Sequence, residues 1–363
     1  MSIRDARRHA GQLAMAGFAG HSIPSDLRAL AREFDLGGVI LFARNVESPE
    51  QVAEIAREAQ DLARELPLWV SVDQEGGRVA RLRAPFTVWP PMATLGRSGD
   101  AALAGRFAAA LAAELRAVGI TLDYAPVLDI HTNPKNPIIG DRALGEQADV
   151  VARLGAAIVK ALQEGGVAAC GKHFPGHGDT SVDSHLELPL VEHPPDRIRR
   201  VECVPFRAAI AADVAFIMTA HVLVPSLDEE KPATLSPRIV RAMLREELGY
   251  DGVILSDDLE MKAIAKSYTV PDAAVQAIAA GCDGLLVCSG DVDVQAATLE
   301  ALVRAVEQNV ISYKRLDDAW KRLRLAKERF LAAPVATNQR AQLRHVLGCD
   351  EHQRIVDEMS RYA

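Results

Sequence analysis

Short apolar runs recur along the chain at about 12–19, 37–42, 68–73, 121–128, 167–172, 215–221, 252–257 and 284–288, and a stretch of helical periodicity follows each. The stretch after the second run shows how the boundaries read. Ser48 stands at an N-cap, Pro49 at the first helical position, and Gln51 completes a capping box. Val52, Ile55, Ala56, Ala59, Leu62, Ala63 and Leu66 then repeat on one face. Ser236 and Pro237 open the segment after the sixth run in the same way, and Asp213 and Gly249 fall where helices should stop. Strands alternating with helices imply a parallel sheet, and eight such units close one into a barrel. The pattern therefore predicts an α/β fold, a (β/α)8 TIM barrel over residues 1–334, with helical periodicity beyond Pro334 giving a short C-terminal tail over 335–363. An open doubly wound sheet is the competing topology, but no G-x-G-x-x-G turn follows the first run.

Composition narrows the function rather than the fold. With 49% hydrophobic and 25% charged residues among 363, the chain has ample core and no disordered or low-complexity character. Forty-one basic against 49 acidic side chains leave a formal charge of −8, so nucleic acid and anionic membrane are excluded as expected partners and a small or neutral one is favoured. No apolar stretch approaches the ~20 residues of a membrane span. Arg4, Arg7 and Arg8 ahead of Gly11 to Gly20 have the outline of a weak export signal, but a first strand from Leu13 to Phe18 accounts for the same residues, and a cytoplasmic protein is the expectation. Cys170, Cys203, Cys282, Cys288 and Cys349 show no C-x-x-C spacing and read as reduced core thiols.

The chemistry gathers where a parallel barrel carries it, at the C-terminal ends of strands. The third run ends in Asp73-Gln74-Glu75-Gly76-Gly77-Arg78 and leads to Arg81; the fourth ends near Asp129, and the loop after it carries Gly140-Asp141-Arg142. The fifth ends in Lys172-His173 and continues through His177 and Asp179 to Asp183-Ser184-His185; the sixth ends in His221 and the seventh in Asp257-Asp258. Asp257, on a strand tip, is placed like a carboxylate nucleophile, a metal ligand, or an N-cap of the segment from Leu259 to Ala265. Asp183 and His185 can form a carboxylate-oriented imidazole, suited to acid/base work near neutral pH. Asp73, Arg81, Arg142 and Lys172 are donors and acceptors fit for a hydroxyl-rich ligand, although each taken singly also fits a salt bridge of the rim. A metal-dependent hydrolase using His173, His177 and His185, with Asp179 and Asp183, is a second reading, weakened because Pro175 and Gly176 break the helix face that an H-E-x-x-H site needs. A non-catalytic sugar-binding barrel is a third.

The segments KHFPGHGDT with a downstream DSH, preceded by DQEGGRVARLR and IIGDRALG and followed by VILSDDLEM, resemble the β-N-acetylhexosaminidase branch of glycoside hydrolase family 3, and within it the bacterial NagZ-type β-N-acetylglucosaminidases of peptidoglycan recycling. The resemblance runs from about residue 10 to 330. It implies a retaining exo-acting enzyme that removes terminal N-acetylglucosamine from muropeptides. Asp257 matches the family's nucleophile, His185 its general acid/base and Asp183 the partner of that histidine. Asp73, Arg81, Arg142, Lys172 and His173 match residues that hold the sugar. No metal or organic cofactor is implied, and a monomer is expected. Most retaining glycosidases use two carboxyl groups about 5–5.5 Å apart, so an imidazole in place of the second is the family's peculiarity. Because neutral imidazole repels an anionic acceptor less than a carboxylate does, a β-glycoside phosphorylase on the same site is an alternative. Two departures stand out: the 33 residues after Phe330 are too few for the second domain of longer relatives, and Glu260 replaces the small polar residue common after the Asp-Asp-Leu step.

Overall fold

A computed structural model describes residues 3–180, 188–332 and 340–363. Ten strands are present among them: β1 (Ala14–Ala16), β2 (Gly38–Leu41), β3 (Trp69–Val72), β4 (Gln74–Gly76), β5 (Val79–Ala80), β6 (Leu122–Asp123), β7 (Ala168–Phe174), β8 (Phe216–Thr219), β9 (Val253–Asp258) and β10 (Gly284–Val287). Eight of them close a parallel barrel in the order β1-β10-β9-β8-β7-β6-β3-β2, while β4 and β5 form an antiparallel hairpin outside it. All eight apolar runs therefore become barrel strands, and helices clothe the sheet as the alternation requires.

Residue chemistry sets the strand limits. The fourth run yields only a two-residue ladder because Pro126 has no N–H to donate, although Cys170 still donates to Ala125 O at 2.9 Å. At Gly38 a Cβ would stand 2.7 Å from Trp69 Cβ, so β2 closes on β3 only without a side chain there. Trp69, fully buried, meets Phe216 edge-on with ring centroids 5.2 Å apart and fills the start of the barrel.

The helix boundaries are set by the expected residues, with one correction. Asp213 (φ 58°) and Gly249 (φ 66°) take the left-handed conformation that ends a helix. Ser48 caps the helix Pro49–Gln60 by accepting from Gln51 N at 3.2 Å, but Gln51 does not close the box on Ser48; its Oε1 accepts instead from Glu47 N at 3.0 Å. Its amide then donates to the carbonyls of His21 and Asn45, so the side chain ties the loop after β1 to the segment between β2 and this helix.

A helix, Ile3–Gln12, precedes β1 with Ala6 and Ala10 buried, so the stretch Gly11 to Gly20 is divided between a helix end, a strand and a loop. Four of the five cysteines are buried free thiols; Cys349 is the exception, half-buried at the start of the helix Asp350–Ser360. Lys327, within the helix Tyr313–Phe330, is buried and donates to Gln12 Oε1 and Gly37 O, both at 2.8 Å; burial pulls its pKa down to about 7 against the pull of Asp35. Beyond that helix, Arg340–Val346 and Asp350–Ser360 pack on the long helix Ala101–Ala117. No described helix is long and apolar enough to cross a membrane.

Candidate active site

The ends of β3, β7 and β9, the hairpin β4–β5 and the loop after β6 enclose a cavity of about 310 Å³ at the C-terminal mouth of the barrel. Asp73, Arg81, Arg142, Lys172, His173 and Asp257 all line it. The barrel thus brings together every expected site residue that it describes. Asp183 and His185 lie outside the described residues.

Glu75, a residue to which the sequence reading gave no role, organises the floor. Its side chain is 1% exposed and receives both forks of Arg142, Nε to Oε2 and Nη2 to Oε1, each at 2.8 Å. The Lys172 ammonium bridges it to Asp73, with Nζ 2.6 Å from Glu75 Oε1 and 2.8 Å from Asp73 Oδ1. Arg81 reaches the other oxygen of Asp73 at 3.3 Å. Burial opposes the charge on Asp73, Glu75, Arg142 and Lys172. On Glu75 it pushes the pKa up, but Arg142 and Lys172 outweigh it and hold the carboxyl far below its ordinary value. Lys172 and Arg142 are held above theirs by the same pairs, and Asp73 below its own by Lys172 and Arg81. These five charges are fixed, so the donors they present to the cavity keep one geometry at neutral pH. Arg81, Arg142 and Lys172 thus carry their charges against those of Asp73 and Glu75.

A second buried carboxylate, Asp129, orients the histidines. It accepts from His177 N at 2.7 Å, and its Oδ2 lies 2.6 Å from His173 Nδ1. A carboxylate only accepts, so that nitrogen carries a proton and Nε2 is the nitrogen His173 offers to a ligand. His177 Nδ1 sits 2.7 Å from Thr180 Oγ1, and burial pulls its pKa down to about 4, keeping the ring neutral. Asn136, itself buried, donates to His177 O at 2.8 Å and accepts from Ile138 N and Ile139 N, both at 2.9 Å, joining this loop to the one that carries Arg142. The peptide bond between Lys172 and His173 is cis.

At the tip of β9, Asp257 accepts from Asp258 N at 2.8 Å and does not cap the following helix, Lys262–Ala265, whose N-cap is Met261. The carbonyl of Asp258 is 2.9 Å from His221 Nε2, which must therefore carry the proton, and Thr234 Oγ1 lies 2.8 Å from the other ring nitrogen. The Asp258 carboxyl accepts from Glu260 N at 3.1 Å, so Glu260 contributes a backbone donor while its own Oε2 accepts from Ser289 N at 2.6 Å. Burial, aided by Glu260 and Asp257, pushes Asp258 up to about 7.

A raised carboxyl has a definite sign in stability. The unfolded chain loses this proton near 3.8 and the folded chain near 7, so stability falls between those values and stays lowered above them. Asp258→Asn, which copies the protonated shape, is expected to stabilise the fold by roughly 4 kcal/mol at pH 8 and hardly at all near pH 4. Urea melts at the two pH values check this, and an equal difference at both would contradict it.

The metal reading gains no support from this arrangement. His173, His177 and Asp179 are engaged with Asp129, Thr180 and His193 respectively, and among the described residues no group of three or more His, Cys, Asp and Glu is gathered to hold an ion. Glu75 and Asp129 stand among the polar residues at strand ends in the sequence, which gives neither of them a role. An acidic residue among other polar ones on a strand tip carries no local mark of what it will pair with.

Residues 6–325 match the glycosyl hydrolase family 3 N terminal domain. A β-hexosaminidase A from Pseudoalteromonas piscicida is 35% identical over 93% of this chain, which spans 60% of that relative's length. Among solved structures, a family 3 β-N-acetylglucosaminidase from a Paenibacillus strain superposes with TM-score 0.93 at 45% identity, covering 100% of this chain and 69% of that one. NagZ from Neisseria gonorrhoeae, solved in complex with N-trifluoroacetyl-D-glucosamine, gives 0.77 at 31% identity, over 97% of this chain and 98% of that one. The barrel, the matched span and these relatives agree: the chain belongs to glycosyl hydrolase family 3, among its β-hexosaminidases.

Proposed function

We propose that this protein is a retaining exo-β-N-acetylglucosaminidase that uses Asp257 as nucleophile and the His185/Asp183 pair as acid/base. The observation that carries the reading is the placement of Asp257 on the wall of a cavity of about 310 Å³ whose other polar walls are Asp73, Arg81, Arg142, Lys172 and His173. A cavity of this volume, at the small end of the ligand-pocket range, suits one terminal sugar ring, in keeping with exo action. The Neisseria relative's complex with an N-acylated glucosamine supports the choice of sugar.

In the first step the Asp257 carboxylate attacks the anomeric carbon. The bond to the leaving oxygen breaks, and the His185 imidazolium gives that oxygen its proton. In the second step neutral His185 takes a proton from water as the water oxygen bonds to the anomeric carbon, and the Asp257 ester bond breaks. Asp183 holds the imidazole in the tautomer the proton transfers need. The fixed donors around Glu75 and Asp129 bind the sugar hydroxyls and oppose rotation of the ring. We place the natural substrate among muropeptides and the enzyme in the cytoplasm, where four buried free thiols stay reduced, acting as a monomer without a metal.

Substrates with graded leaving groups test the acid. His185→Gly is expected to slow an aryl glycoside with a good leaving group at least tenfold less than a natural disaccharide, because proton donation matters most for poor leaving groups. Equal losses on both would assign the acid elsewhere. Activity abolished by a chelator and restored by zinc would favour the metal hydrolase, and accumulation of sugar 1-phosphate in phosphate buffer the phosphorylase.

A further inference from the structure

The helical segment after residue 340 docks on the barrel through one buried carboxylate. Glu114, 2% exposed on the helix Ala101–Ala117, accepts from Thr87 N at 3.0 Å and Thr87 Oγ1 at 2.6 Å on one side. On the other side it accepts from Gly348 N at 2.8 Å, and His352 Nδ1 lies 2.8 Å away, a proton donor because a carboxylate only accepts. Gly348 has φ +60°, and a Cβ there would stand 2.6 Å from Pro85 O, so the tail backbone lies directly on the segment that contains Thr87. Two donors from the tail and two from that segment share one anion.

The segment that Glu114 grips is the support of the active-site hairpin. Trp89 packs edge-on against Phe107 at 5.0 Å and tilted toward the His352 ring at 6.2 Å. Its carbonyl accepts from Gly77 N at 2.9 Å. At Gly76, φ is +104°, and a Cβ would stand 2.8 Å from Met92 Cε and 3.0 Å from Pro90 O. The hairpin is therefore seated on residues 89–92 with no slack, and Gly76 follows Glu75 directly in the chain.

We propose that Glu114, through Thr87 on one side and Gly348 and His352 on the other, is a positioning residue for Glu75, so that the C-terminal tail is a working part of the sugar site. Its carboxylate never touches substrate. It fixes the support on which Glu75 holds the Arg142 fork and the Lys172 ammonium, a constellation in which a shift of about an ångström costs catalysis heavily.

Hydrogen exchange and kinetics on full-length variants test the proposal. His352→Ala is expected to speed amide exchange in residues 74–80 about tenfold and to raise KM for an aryl β-N-acetylglucosaminide about tenfold. His352→Gln, which keeps a donor toward Glu114, restores both. Leu316→Ala, at a buried position of the helix Tyr313–Phe330, gives the thermal control: at an equal loss of Tm it leaves exchange in 74–80 and KM unchanged. Glu114→Gln follows His352→Ala in direction, and it serves if the alanine variant fails to fold. Unchanged exchange in 74–80, or an equal rise in Leu316→Ala, overturns the inference. The kinetic arm rests on the proposed function and the exchange arm does not, so a native protein without hydrolysis would remove that function and leave the exchange result to decide this one.

Discussion

Replacing Asp257 by Asn lowers kcat on an aryl β-N-acetylglucosaminide by roughly 10⁴-fold or more while changing thermal stability little. The amide keeps the shape of the carboxylate and can still accept from Asp258 N, the 2.8 Å bond Asp257 makes at the tip of β9. Among the described residues the ion pairs of the cavity run through Asp73, Glu75 and Asp129, so the substitution leaves them standing. What is lost, on the mechanism proposed above, is the nucleophile. Steady-state kinetics and a melt on the same preparation check the split, and a kcat within tenfold of the native value would show that Asp257 does not make the bond.

Glu75→Gln has the opposite signature, a large loss of stability together with weakened binding. Glu75 is 1% exposed and holds two cations, and removing one partner of a buried ionic cluster leaves charges without compensation, at a cost of roughly 3–5 kcal/mol. Arg142 and Lys172 then turn toward the remaining carboxylates, and KM rises as the donors leave their places. The pH dependence identifies the cause. Because the folded carboxyl is held far below its ordinary 4.5, its stabilisation is fully present above that value and is lost progressively as pH falls toward the depressed one. The stability gap between native protein and Glu75→Gln therefore narrows in urea melts carried from pH 7 to below pH 4. A gap of the same size throughout would mean that packing, not charge, holds Glu75.

The barrel was readable because each strand is an apolar run buried on both faces and each helix start carries local chemistry such as Ser48-Pro49. The hairpin β4–β5 was not, since strands of three and two residues show no periodicity. The helix Ile3–Gln12 was missed because its burial rests on Ala6 and Ala10 amid charged residues. Among the residues that line the cavity, Asp73, Lys172, His173 and Asp257 were legible from their places at strand ends, and Arg81 and Arg142 from the loops that follow. Glu75 was not, because what defines it is a fork supplied 67 residues away by Arg142. Asp257 and Asp258 are told apart by the donors their carboxylates accept from, Asp258 N and Glu260 N, which the sequence does not state. The role of the tail lies further out of reach, in a contact between Glu114 and His352 across 238 residues. Pairings of that range follow from the closed fold and have no local trace.

Mass spectrometry of the trapped intermediate bears most directly on the retaining mechanism. The protein is mixed with a fluorinated N-acetylglucosaminide that carries a good leaving group, quenched in acid and digested. The mechanism predicts one sugar adduct, released on standing, attached through an ester to Asp257. Continued turnover with no adduct, or an adduct on any other residue, would contradict it.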